Sequence, residues 1–168
     1  TGLMMARLCY DLLMEKGRDA LAAVERHEVT PALEDVVEAT IYLSGLGFEN
    51  GGLAAAHAVN DGFAQEPQAH GMYHGEKVAF GTLVQLVLEK APQEELEQVL
   101  AFLRDTGLPL TLAQLGVKEI VPETLKKVAE AAVVPTQSTK NLRADITAQE
   151  VYDAILEADR IGRDYLAR

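Results

Sequence analysis

The sequence has one cysteine, no tryptophan, no long apolar run and no cluster of basic residues. A lone cysteine cannot form an internal disulfide, so we expect a reducing, cytoplasmic setting, with Cys9 as a small core residue. Without about eighteen consecutive apolar residues, no membrane span is expected. The net charge of −11 argues against nucleic acid as a partner, because phosphate binding needs clustered Lys and Arg.

Several motifs are also missing. No segment alternates apolar and polar residues as a half-buried strand does, so the sequence predicts an all-α fold. Gly45-x-Gly47 does not extend to G-x-G-x-x-G and follows a helical pattern, which argues against a dinucleotide-binding loop. A length of 168 residues without a linker predicts a single domain, 1–168. The start at Thr1, without an initiator Met, suggests a piece of a longer protein.

Apolar residues recur at helical spacing along most of the chain. Thr30-Pro31 and Thr147-x-x-Glu150 carry the capping and first-turn residues that begin helices. Gly17 is expected to interrupt the first helix, the glycine-rich segment 45–52 to be irregular, and 134–146 to be a loop. The predicted helices span 3–16, 18–27, 31–44, 53–64, 74–91, 92–106, 122–133 and 148–165, with a short helical turn at 112–115.

The segment 45–81 holds three of the four histidines. His57 lies within one predicted helix and His74 begins the next, so the two imidazoles can face each other if these helices are neighbours. Imidazole is a common neutral ligand of zinc and iron, although a catalytic metal needs about three protein ligands. A lone histidine on an apolar face, such as His57, is usually a hydrogen-bonded core residue, and an exposed loop residue explains His70. Four further side chains are candidate ligands, and none has a compelling spacing: Glu49, Asp61, His70 and Glu76.

Two stretches carry a resemblance to a known family. SGLGFENGGLAAAHAVNDGF and HGMYHGEKVAFGTLVQLVLE resemble glycerol dehydrogenases, the zinc branch of the iron-containing (group III) alcohol dehydrogenase superfamily. The resemblance extends over essentially the whole chain. It implies that residues 1–168 form the all-helical, metal-binding C-terminal domain of a dehydroquinate-synthase-like fold. The N-terminal NAD-binding domain of such enzymes has no counterpart in this sequence.

The resemblance also implies a site. His57 and His74 fall on the two histidines that hold zinc in the family, and they would act in catalysis through that metal. The third ligand, an Asp, is expected upstream of this chain. Phe48 falls where the family places an aromatic side chain beside the polyol. Asp61 stands where iron-dependent relatives carry a second histidine, which favours the zinc branch. The implied reaction is NAD-dependent oxidation of glycerol to dihydroxyacetone, with zinc lowering the pKa of the substrate hydroxyl.

Two further hypotheses remain open beside this one. The chain could be a non-catalytic helical interaction or oligomerisation module, or a group III dehydrogenase that acts on another small diol or aldehyde. On the leading hypothesis, the chain alone is expected to be inactive and to need the N-terminal half of the same enzyme. A homo-oligomer is also expected, and loss of the N-terminal half is expected to expose apolar surface along residues 45–63, which would promote association.

Overall fold

The computed structural model describes all residues, 1–168, and contains helices and turns but no strand. The predicted all-α class is therefore confirmed. None of the helices combines the length and the apolar character that crossing a membrane requires. The chain divides into two compact units, residues 1–52 and 53–168. The single-domain organisation stays a prediction of the sequence.

The first unit consists of a long helix and a bent helical run. Helix α1 spans Gly2–Glu25, and α2 (Pro31–Glu38) continues through a π-helical turn (Ala39–Leu43) into α3 (Ser44–Gly51). Thr30 begins α2 as predicted, since its hydroxyl accepts a hydrogen bond from the Leu33 amide at 3.3 Å. The predicted core position of Cys9 is likewise confirmed, because this residue is buried.

Two expectations for this unit are wrong. Gly17 does not interrupt α1, and residues 45–51 are helical rather than irregular. A glycine costs a helix only about 1 kcal/mol relative to alanine, which packing can outweigh. At Gly47 the packing is visible, because an added Cβ would lie 3.3 Å from the backbone nitrogen of Ala6. Gly47 therefore lets α3 lie close to α1, and it does not end the helix.

The second unit contains six helices. They are α4 (Ala55–Gly62), α5 (His74–Glu89), α6 (Gln93–Asp105), α7 (Pro122–Ala132), α8 (Thr139–Leu142) and α9 (Ala148–Leu166). Helix α5 packs against α4, α6 and α9 and buries much of its length, which matches its nearly all-round apolar sequence. The apolar faces of α6 and α7 are buried: Leu96, Val99, Leu100, Leu103, Leu125, Val128, Ala129 and Ala132.

The boundaries in this unit differ from the predictions in two places. Helix α4 ends earlier than expected, and a 3-10 turn (Phe63–Gln65) replaces its last residues. The predicted loop 134–146 contains α8, whereas residues 112–115 form hydrogen-bonded turns where a short helical turn was predicted. The capping box that begins α9 is confirmed: the Thr147 amide donates to the Glu150 carboxylate at 2.8 Å, and the Glu150 amide donates to the Thr147 hydroxyl at 3.2 Å.

Candidate metal centre

Helices α4 and α5 approach each other closely because a glycine lies at their contact. A Cβ added to Gly81 would collide with the carbonyl oxygen of Ala56 and lie 3.1 Å from its carbonyl carbon. Only glycine therefore permits this separation of the two helices. Near the end of α4, Phe63 packs edge-on against Phe80, with ring centroids 6.1 Å apart. Both rings are fully buried, so the helix pair rests on a solid apolar contact.

The close helix pair brings two imidazoles together. His57 is the third residue of α4 and His74 the first residue of α5. Their ring centroids lie 5.5 Å apart, and the ring planes are inclined by 48°. His57 is half-buried whereas His74 is exposed, so the pair lies at the surface of the second unit.

The surroundings of His57 favour its neutral form. Burial lowers the pKa of the His57 imidazole, and repulsion by a charged His74 lowers it further, while the carboxylate of Asp61 opposes both effects. Asp61 is held by its neighbour, since the Asn60 amide group donates to it at 3.0 Å. A neutral imidazole is the form that coordinates a metal ion, because the ligand nitrogen needs a free lone pair.

The separation of the rings fits two ligands of one ion. Imidazole nitrogens lie about 2.0–2.1 Å from zinc, so two histidines on a tetrahedral ion stand with ring centres roughly 5 Å apart. The observed 5.5 Å between the centroids of His57 and His74 is close to that spacing. The donor set is incomplete, however, since no group of three or more His, Cys, Asp or Glu side chains is arranged to hold a metal ion. The two histidines are therefore fewer than the three or so protein ligands that a catalytic metal needs.

The other side chains weighed as ligands have different surroundings. A ring nitrogen of His70 donates to the Ala64 carbonyl at 3.0 Å, within the connection between α4 and α5. The Glu76 carboxylate accepts a hydrogen bond from the Tyr73 amide at 2.7 Å and so caps α5. Asp61 interacts electrostatically with His57 but completes no cluster of three. These contacts account for His70 and Glu76 without a metal.

Two candidate residues lie in the first unit. Phe48 and Glu49 are on α3, and the Phe48 side chain is 47% exposed. An exposed phenylalanine is available to contact a ligand, but it costs free energy unless something covers it. The role of Phe48 beside a polyol stays a prediction.

Sequence reasoning missed the importance of Gly81. The signal for it was present in the spacing, because Gly81 follows His74 by two helical turns and therefore lies on the same face of α5. A glycine on the histidine face of an otherwise apolar helix indicates a close backbone approach. What the spacing could not reveal is the partner, the carbonyl of Ala56, which is next to His57.

Comparison with known proteins defines the class of this domain. A scan against protein-family models finds no match. The solved structure of a probable glycerol dehydrogenase from Sinorhizobium meliloti 1021 superimposes with a TM-score of 0.93 at 45% sequence identity, over 97% of this chain and 46% of that chain. The fold is therefore that of a helical domain of an oxidoreductase.

Relatives of curated function narrow the class to a family. The glycerol dehydrogenase of Escherichia coli O6:H1 is 56% identical over 164 residues, which cover 98% of this chain and 45% of the relative. A glycolaldehyde reductase of Halobacterium salinarum is 44% identical over 162 residues, covering 96% of this chain and 44% of the relative. Over nearly its whole length the chain is similar to glycerol dehydrogenases, and it matches their C-terminal half. It spans about half the length of the curated relatives it matches.

Proposed function

We propose that this chain is the metal- and substrate-binding half of an NAD-dependent enzyme that oxidises glycerol to dihydroxyacetone. The observation that carries the proposal is the facing pair His57 and His74, with ring centroids 5.5 Å apart, in a chain 56% identical to a glycerol dehydrogenase. The two histidines hold the metal, and a third ligand, an Asp, comes from the N-terminal half of the longer enzyme. NAD is bound mainly by that same half, in the cytoplasm.

The donor chemistry favours zinc. Two neutral imidazoles and one carboxylate are a ligand set that catalytic zinc sites use, and a fourth position stays open for a substrate oxygen. Burial keeps His57 in the neutral form that such a site needs. Asp61, one turn after His57, takes the place of the second histidine of iron-dependent relatives, which supports zinc over iron.

The residues of this chain have distinct tasks in the proposed reaction. His57 and His74 fix the metal at the end of the α4–α5 pair, and Phe48 limits the space beside the polyol. When bound, the metal supplies a Lewis acid that lowers the pKa of the substrate hydroxyl, and NAD accepts the hydride. Neither His57 nor His74 accepts a proton in this scheme, because the free lone pair of each imidazole holds the ion.

Exposed apolar side chains support a partner for the first unit. Most of the large apolar side chains that stay exposed belong to residues 1–52: Leu3, Met4, Leu8, Leu21, Val24, Val29, Val37, Ile41, Tyr42, Leu46 and Phe48. Such a concentration on a small unit is typical of a surface that another polypeptide covers. We therefore propose that the N-terminal half of the same enzyme packs on this chain. We also propose that further copies of the enzyme pack on it in a homo-oligomer.

A second candidate substrate class has a specific observation in its favour. The relative from Halobacterium salinarum, 44% identical, is a glycolaldehyde reductase, and the same site would serve a small aldehyde in the reverse direction. The hydride transfer is chemically the same, so the discrimination depends on the space around the substrate rather than on His57 and His74.

The proposal is tested by reconstitution. The 168-residue chain is co-expressed with the N-terminal half of the Escherichia coli relative, and NAD reduction is followed with glycerol and zinc. We expect turnover only when both halves are present. His57→Ala is expected to abolish it, whereas His70→Ala, which changes a loop histidine, leaves it intact. Turnover by this chain alone, or an active His57→Ala variant, would contradict the proposal.

The same assay separates the alternatives. Faster reduction of glycolaldehyde than oxidation of glycerol by the two-half enzyme would favour the aldehyde substrate. No turnover with either compound, in a complex that assembles and stays folded, would favour the non-catalytic interaction module.

A further inference from the structure

The backbone immediately before His57 is held by side chains from two other segments. Helix α4 begins at Ala55, and its cap residue Ala54 has no side chain that can accept a hydrogen bond. The Gln85 side-chain oxygen, on α5, instead accepts the hydrogen bond of the Ala56 amide at 3.0 Å. Gln85 thus supplies from a neighbouring helix the acceptor that an N-cap residue normally supplies.

Two donors hold the carbonyl groups of the same segment. The Ser138 hydroxyl donates to the Ala54 carbonyl at 2.7 Å, and the Asn141 side-chain amide donates to the Leu53 carbonyl at 2.8 Å. Both donors come from the turn that contains α8. We call Gln85, Ser138 and Asn141 the α4 clamp. Together the three side chains hold one amide and two carbonyls of the four residues that precede His57.

Gln85 is itself oriented by a second hydrogen bond. Its side-chain nitrogen donates to the Glu89 carboxylate at 2.8 Å, so its oxygen must point toward Ala56. Gln85 follows Gly81 by one helical turn and His74 by three, which places all three residues on the face of α5 toward α4. One helix therefore carries His74, admits α4 at Gly81, and holds the backbone next to His57.

Apolar packing alone does not fix His57 in this way. The Phe63–Phe80 contact and the close approach at Gly81 set the distance between α4 and α5. They provide no hydrogen-bond partner for the amides at the start of α4, which leaves this end free to fray, because a helix terminus without a cap is its weakest part. Hydrogen bonds to Ala56 and Ala54 are directional and remove that freedom. A metal site needs its ligands within about 0.5 Å of the productive geometry, which is the precision that such bonds supply.

We propose that Gln85 and Ser138 are positioning residues that keep the His57 imidazole opposite His74 before a metal ion binds. The proposal depends on the proposed metal-binding function only for the purpose of this positioning. The position of His57 opposite His74 can itself be measured without metal. Groups that orient the ligands of a metal commonly contribute about 10- to 100-fold to its affinity. We expect an effect of that size from Gln85, although it touches neither metal nor substrate.

The test uses the whole 168-residue chain and two readouts. The first is the nuclear Overhauser effect between the imidazole protons of His57 and His74 without metal. The second is the affinity for zinc ions, obtained from the zinc-dependent rise in the urea midpoint. Gln85→Met keeps the size of the side chain but removes the acceptor. We expect this variant to lose the contact between the two rings and to bind zinc about 10- to 100-fold more weakly.

Two control variants separate positioning from general stability. The double variant Gln85→Glu with Glu89→Gln exchanges the two ends of their hydrogen bond and keeps an acceptor for the Ala56 amide, so it is expected to restore both readouts. Asp159→Leu removes an acceptor from a different backbone amide, that of Leu112, where the bond is 2.8 Å long. This variant is expected to lower the urea midpoint without zinc while zinc affinity and the contact between the rings stay unchanged.

The outcomes decide the two proposals separately. An intact contact between the rings in Gln85→Met, or unchanged zinc affinity, would overturn the positioning role. If the wild-type chain shows the contact but no response to zinc, either alone or together with the N-terminal half, and Gln85→Met loses the contact, the clamp stands and the metal-binding function fails. Should Gln85→Met not fold, the milder Ser138→Ala, which removes one donor from the Ala54 carbonyl, is held to the same two readouts.

Discussion

The contact at Gly81 offers the sharpest prediction about the helix pair. In Gly81→Ala, the new methyl group would collide with the carbonyl oxygen of Ala56 and lie 3.2 Å from its Cα. The obstacle is the backbone of α4, so no side-chain rotation relieves it, and one helix has to move. Because Ala56 adjoins His57, this movement would also displace one histidine of the pair.

The expected loss of stability follows from two opposing terms. Overpacking a well-packed contact costs about 1–3 kcal/mol, whereas replacing glycine by alanine within a helix gains about 0.8–1.0 kcal/mol. For Gly81→Ala the net result is a destabilisation of about 1–2 kcal/mol. The Ala56 carbonyl belongs to the backbone and cannot rotate away, so the overpacking cost lies near the upper limit of its range. The matched control is Gly45→Ala in α3, where an added Cβ meets nothing within 4 Å. There only the helical gain remains, so this variant is expected to be slightly more stable.

Urea unfolding followed by far-ultraviolet circular dichroism measures both changes. With an unfolding slope of about 2 kcal/mol/M, the Gly81→Ala midpoint is expected to fall by about 0.5–1 M. The Gly45→Ala midpoint should stay the same or rise. A Gly81→Ala chain as stable as the wild type, with the contact between the His57 and His74 rings retained, would refute the reasoning from backbone contact.

Three further predictions concern parts of the chain away from the histidines. The pKa of Glu150 is lowered by hydrogen bonds from the Thr147 amide, Arg143 and the Thr147 hydroxyl. The Glu150 carboxylate therefore stabilises the fold above its unfolded pKa, and this stabilisation is lost as the pH falls through its folded pKa. Glu150→Gln should accordingly be less stable than the wild type at neutral pH, and the difference should shrink as the pH falls through the folded pKa of Glu150; a pH-independent difference would contradict this. Thr30→Ala removes the cap of α2 and should cost about 1 kcal/mol in urea unfolding, an unchanged midpoint being the contrary result. Leu125→Ala, at a fully buried site, should cost about 2–5 kcal/mol, and a loss below that range would mean that the core closes around the cavity.

The sequence predicts the local features of this fold well. Thr30 and the Thr147–Glu150 box begin helices as expected, because a cap depends on residues only a few positions apart. It misleads at Gly17 and at 45–51, where glycine was expected to end a helix. A propensity of about 1 kcal/mol is too weak to prevail over a tertiary contact such as that of Gly47 with Ala6.

Only part of the candidate site can be predicted from the sequence. The family resemblance singles out His57 and His74, and the structure brings their rings together. The residues that hold them there are separated from His57 by long stretches of chain, since Gln85 and Ser138 bond to its neighbours from other segments. Neither Gln85 nor Ser138 carries a motif of its own, so no local pattern could have revealed the clamp.

By itself, the sequence determined the helical class, the caps and the family, because helical period, capping residues and a long shared motif are all read along the chain. Only the tertiary structure decided that α4 and α5 meet at Gly81 and that the two imidazoles stand 5.5 Å apart. Such contacts depend on which backbone atoms from remote segments occupy the same space. These contacts are a property of the packed chain and cannot be deduced from the spacing of residues along the sequence.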